Sequence, residues 1–144
     1  MTVPSADEIT REIYIVAPPQ AVYVYFTDPV KVLRWKGMDA TLDPRPGGVY
    51  RLNLGEGNIV RGEYVRLKPY SQIVFTWGWE GDNAPVPPGA STVEINLVAE
   101  RGGTLVRLRH YGLPSAARQA HAEGWDYFLP RLERAITEDT AASA

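Results

Sequence analysis

The most constraining feature of this chain is a change of texture along its length. From Met38 to Leu113, short β-rich runs alternate with glycine- and proline-rich turns. A single long helical pattern then begins at Pro114. Strands that follow one another without intervening helices pair antiparallel, because parallel neighbours need a crossover of about a dozen residues or more. The terminal helix has one large surface available to cover its apolar stripe, and that is a face of the sheet.

Turn signals lay out the elements. Residues 9–16 alternate Ile9, Arg11, Ile13 and Ile15 with Thr10, Glu12, Tyr14 and Val16 and read as a first strand. Pro18-Pro19 ends it, residues 20–26 form a short helix, and Thr27 or Asp28 ahead of Pro29 starts a second that runs to about Trp35 and stops at Gly37. Further strands are expected over residues 40–43, 49–54, 59–67, 72–80, 91–100 and 104–113, the last two joined by Arg101-Gly102-Gly103. The expected class is α+β: a curved antiparallel sheet of six or seven strands wrapped around a long C-terminal helix, with two short helices after the first strand. The length of 144 residues suits one domain, residues 1–144, with an ordered core over about residues 9–137 and fraying beyond Thr137.

Period-two alternation assigns faces. Ile73, Phe75, Trp77 and Trp79 share one side, as do Val93, Ile95 and Leu97, and Val106, Leu108 and His110; each set is expected to face the helix. In the 59–67 strand, Val60, Gly62 and Tyr64 lie on one parity and Val65 and Leu67 on the other. A bulge near Tyr64–Val65 would turn both groups inward, with Gly62 at a bend. The helix carries His121, Trp125, Phe128 or Leu129, Leu132 and Ile136 along one side. Gly124 and Pro130 cost about 1 and about 3 kcal/mol in a helix interior. They point to a shape requirement, close approach of a neighbour at Gly124 and a bend at Pro130.

Composition narrows the function classes. A formal charge of −2 gives no electrostatic case for nucleic acid or an anionic membrane surface. Without cysteine there are no disulfides and no thiolate metal sites. The first residues lack the basic and apolar pattern of a leader, and no run approaches the length of a membrane span, so a soluble, cytoplasmic protein is the expectation.

Motifs of catalysis are weak. His121-Ala122-Glu123 has the His-x-Glu spacing of zinc deaminases but no cysteine ligands, and Gly55-Glu56-Gly57 is a hairpin with no lysine-bearing phosphate motif after it. There is no nucleophile elbow and no evident carboxylate pair; Arg107, Arg109 and Glu94 belong to a solvated face. The residues therefore name no catalytic group, no metal site and no cofactor.

An ordered set of short motifs carries a resemblance. Phe26-Thr27-Asp28-Pro29, Trp35, Pro46-Gly47-Gly48-Val49-Tyr50, Gly62-Glu63-Tyr64, Pro69, Val74-Phe75-Thr76-Trp77 and Gly103-Thr104-Leu105-Val106 are followed by His110, Gly112-Leu113 and His121-Ala122-Glu123-Gly124-Trp125. In this succession, over about residues 9–136, the chain resembles the heat-shock-protein ATPase activator-like family. That family belongs to the START-like (SRPBCC) superfamily with the helix-grip architecture of the birch-pollen allergen. One departure is Lys36, where many relatives carry a second tryptophan.

The resemblance implies a cavity between sheet and helix, on which Trp77, Trp79 and Trp125 converge. Trp35, Tyr50 and Tyr64 are expected at its rim, Phe75 and Leu129 in its wall, and His110 as a polar anchor. The same rings could serve as plain core, and His110 as a neutral structural histidine. The expected function is binding of a small, mostly apolar ligand of lipid or polyketide type, by a binder rather than an enzyme. Two alternatives stand beside it: a stress-response module that engages a chaperone, by analogy of family, and a cyclase- or hydrolase-like enzyme using the same cavity. Monomer and homodimer both remain open.

Overall fold

Seven strands of alternating pattern close into one antiparallel sheet in the computed structural model, which describes residues 8–142. β1 (Ile9–Ile15) leads into α1 (Pro19–Tyr23), a 3-10 turn over Val24–Phe26 and α2 (Pro29–Val32). The meander follows as β2 (Asp39–Leu42), β3 (Val49–Asn53), β4 (Ile59–Lys68), β5 (Gln72–Trp77), β6 (Ser91–Glu100) and β7 (Gly103–Tyr111), and α3 (Ser115–Ala142) ends the chain. β1 pairs with β7, giving the order β1-β7-β6-β5-β4-β3-β2. Asp28 caps α2, its side chain accepting from the amides of Val30 and Lys31.

The inner face follows the alternation. Ile73, Phe75, Val93, Ile95, Leu97, Val106, Leu108 and His110 are all buried. From α3 come Ala122, Trp125, Leu129, Leu132, Ala135 and Ile136, an apolar stripe at helical spacing. The Arg11–Asp126 pair, 2.7 Å, ties β1 to the outside of this helix.

Four local expectations change. The register of β4 against β5 does shift between Tyr64 and Arg66, but Val65 is the extra residue and is 52% exposed; only Leu67 regains the inner side. Gly62 serves a close approach: a Cβ there would lie 1.9 Å from the Thr76 carbonyl oxygen, where β4 crosses the end of β5. β5 stops at Trp77, because Gly78 runs against the Pro87 carbonyl and the Trp79 amide donates to Val86, so the 81–89 loop folds back and buries Val86. Finally, α3 continues past Thr137 to Ala142. Asp139 takes a 2.7 Å ion pair from Arg34 and a hydrogen bond from the Tyr25 hydroxyl, which holds the last turns against the α1–α2 region. The helix runs through Pro130, whose ring lies on the exposed side.

Candidate functional site

The grip is incomplete where the helix carries small side chains. Ala116, Ala117, Ala120 and Gly124 fall about one turn apart along the first half of α3, whereas later turns carry Phe128, Leu129, Leu132 and Ile136. Opposite the small residues a cavity of about 600 Å³ remains. Its walls are Trp77 at the end of β5, Trp79 just beyond it, Trp125 and Phe128 from α3, Leu54 after β3, and Pro85, Val86 and Pro114 from loops. Gly124 does not admit a neighbour, as its spacing suggested. No atom lies within 4 Å of where its Cβ would be, so the missing side chain is part of the empty volume.

The structure divides the residues expected at the site. Trp77, Trp79 and Trp125 come together on the cavity, with Trp77 and Trp125 rings 5.5 Å apart. Tyr50, Tyr64 and Phe75 instead form solid core: Tyr50 stacks on Phe75 at 4.0 Å, and the Tyr64 hydroxyl donates to the Phe26 carbonyl at 2.8 Å. Trp35 is buried beside Phe26 and donates its indole N–H to the Tyr25 carbonyl at 3.0 Å. Leu129 packs into the core, and the residue of that turn facing the cavity is Phe128, one position around the helix.

His110 lies beneath the cavity rather than on it, with both nitrogens engaged. The Trp125 indole donates to Nδ1 at 3.0 Å, and Nε2 lies 2.9 Å from the Ser91 hydroxyl, which itself donates to the Trp77 carbonyl at 2.8 Å. With the serine proton committed to that carbonyl, the proton between His110 and Ser91 belongs to Nε2. Burial, aided by the charges His121 and Lys36 would carry, pushes the imidazole down to about 3. The ring is neutral and has no free nitrogen for a ligand, which replaces its expected role as polar anchor.

His121 repeats the arrangement in the other tautomer. Its Nδ1 lies 2.8 Å from the Ala117 carbonyl, one turn back, and must carry the proton; Nε2 accepts from the Trp79 indole at 3.0 Å. Burial also lowers the pKa of this ring. Each histidine thus fixes the plane of one tryptophan in the wall.

The polar group that the sequence did not mark as a site residue is Lys36. It lines the cavity, is 1% exposed, and its Nζ has no hydrogen-bond partner. The nitrogen sits 4.1 Å from the ring centroids of both Trp77 and Trp125. Burial holds its pKa well below the usual lysine range. Trp77 Nε1 is likewise buried without a partner. The signal in the sequence was Lys36 itself, the position singled out as a departure from the resemblance.

This set can hold an apolar body and present donors to it. No carboxylate lines the cavity to serve either histidine as an acid–base partner, and no three His, Cys, Asp or Glu side chains among the described residues gather where a metal could bind. Among those residues no helix is long and apolar enough to cross a membrane.

Comparison with known proteins agrees with this architecture. The family model described as "Activator of Hsp90 ATPase homolog 1-like protein" matches residues 16–137. The solution structure of an AHSA1-like protein from Rhizobium etli is 43% identical, with a TM-score of 0.70 over 90% of this chain and 81% of that one. DynU16, from the dynemicin biosynthetic locus, is 23% identical with a TM-score of 0.79, over 92% of this chain and 48% of its own. An uncharacterized protein of Schizosaccharomyces pombe is 38% identical over 61 residues, 42% of this chain and 17% of that protein. This chain therefore spans about half of the one and under a fifth of the other.

Proposed function

This chain belongs to the Activator of Hsp90 ATPase homolog 1-like family, and from that premise we propose that it binds a small, mostly apolar molecule in the cavity between sheet and C-terminal helix. The observation that carries the reading is the size of this apolar pocket. Between Trp77, Trp79, Trp125 and Phe128 lies a pocket of about 600 Å³, partly open to solvent, far larger than the water-sized gaps of a close-packed interior. That volume lies within the range of small-molecule sites, about 300–1,000 Å³.

Apolar walls supply affinity through the area they remove from water, about 25 cal/mol per Å². Preorganisation adds to it. The Trp79–His121 and Trp125–His110 hydrogen bonds hold the indoles in place before a ligand arrives, so less side-chain entropy is lost on binding. The candidates by shape and polarity are flat polycyclic aromatics of polyketide type and acyl chains of lipid type.

Native mass spectrometry of freshly purified protein, paired with a tryptophan-fluorescence titration against polycyclic and acyl probes, tests this. The expected result is a saturable change in tryptophan emission with at least one probe class. A flat response across the panel, together with protein of bare mass, would overturn the reading.

A further inference from the structure

Two buried donors border this one cavity without acceptors, Lys36 Nζ and Trp77 Nε1. Leaving a buried polar group unpaired costs about 1–3 kcal/mol, more for a group that can carry charge. The simplest apolar core would place methionine or leucine at position 36. Both orphans are donors, and no acceptor in the wall answers them.

We infer that the ligand carries a carboxylate at one end of an apolar body, and that its two oxygens are received by Lys36 Nζ and Trp77 Nε1. This inference rests on the binding function proposed above and names the class of molecule bound. The apolar body fits against Trp79, Phe128 and the Ala120–Gly124 face of the helix, where the N–H groups of Trp79 and His121 are already bonded and do not compete for the acid.

The surroundings of Lys36 suit this role. Nζ lies over the rings of both Trp77 and Trp125, 4.1 Å from each centroid, with the Trp35 and Phe128 rings each 5.5 Å away. An ammonium there is favoured by the negative faces of the indoles, but alone it lacks a counter-ion. The titratable groups facing it are His110 from β7 and His121 from α3, and neither supplies negative charge. Without ligand, burial with no counter-ion disfavours the charged form of the amine. When a carboxylate enters, the ammonium form is favoured, its proton coming from solvent wherever the amine was neutral, and an ammonium–carboxylate pair forms inside the aromatic walls; no covalent bond is made or broken. Nζ and Trp77 Nε1 are both buried, so the two side chains shift as the carboxylate enters.

Calorimetric titration of wild-type protein and of Lys36→Met with naphthoic acid and with naphthalenemethanol, each in two buffers of different ionisation enthalpy near neutral pH, tests the inference. For the wild type, the acid is expected to bind roughly tenfold or more tightly than the alcohol, with a net uptake of protons on binding the acid. In Lys36→Met both the preference and the proton uptake are expected to vanish while the alcohol still binds. Its thermal melt, expected no lower than that of the wild type because a buried amine is replaced by hydrocarbon, verifies folding. Equal affinity for acid and alcohol, or a preference that survives Lys36→Met, overturns the carboxylate inference and leaves the cavity reading standing. Failure of both probes to bind wild-type protein overturns the carboxylate inference, and the cavity reading is then decided by the wider probe panel and the mass measurement.

Discussion

Both ring nitrogens of His110 are committed to the fold, one to Trp125 and one to Ser91, and this has a consequence for stability. The unfolded chain's histidine protonates near pH 6.5, whereas the folded ring resists until about 3. Between those values the unfolded state binds the extra proton, so stability falls as pH drops through that window. At pH 5 the effect is about 2 kcal/mol. Urea unfolding at pH 7 and pH 5 should show this loss, and His110→Gln should lessen it although less stable overall; His121 and Lys36, whose pKa values burial also lowers, keep part of the slope. An equal pH slope in the variant would mean that His110 is not the group responsible. Asp139 and Asp126, each held low chiefly by a hydrogen bond from arginine, act in the same direction but are solvent-screened and contribute little.

At the level of elements, the crossing of β4 over the end of β5 depends on backbone proximity rather than on side-chain packing. A methyl group at residue 62 would sit 1.9 Å from the Thr76 carbonyl oxygen and 2.7 Å from its Oγ1, which accepts the Glu63 amide. Gly62→Ala is therefore expected to cost about 1–3 kcal/mol or more, because one strand must shift to make room. A denaturant midpoint equal to the wild type would refute the close approach. The terminal helix shows the opposite economy: its sequence is weakly patterned beyond Thr137, yet it persists to Ala142 because Asp139 finds Arg34 and Tyr25 across the fold. Propensity alone predicted fraying there, and tertiary contacts override such local tendencies.

For the whole molecule, the void and the stability of the helix can be separated at one residue. Gly124 has open space where a side chain would go, and glycine is a poor helix former by about 1 kcal/mol relative to alanine. Gly124→Leu should raise the thermal midpoint by filling the cavity and favouring the helix, and should weaken binding of any cavity ligand at least roughly tenfold. The two readouts are a thermal melt and the tryptophan titration. A stabilised variant that still binds would place the ligand elsewhere.

Much of this architecture was legible along the chain because the rules involved are local. Turn residues marked the strand ends, period two assigned Ile73, Val93, Val106 and their partners to one face, and helical spacing placed Trp125 and Leu132 against it. The family motifs supplied the expectation of a cavity. Which rings wall that cavity and which merely fill the core was not local. It depends on how volumes from β5, α3 and the 81–89 loop sum in space, so Tyr50, Phe75 and Trp35 interlocked while Phe128 and the small residues of α3 framed the gap. The same holds for Lys36. Its charge marks it for the surface in any one-dimensional reading, and only the indoles of Trp77 and Trp125, arriving from distant segments, take it out of water.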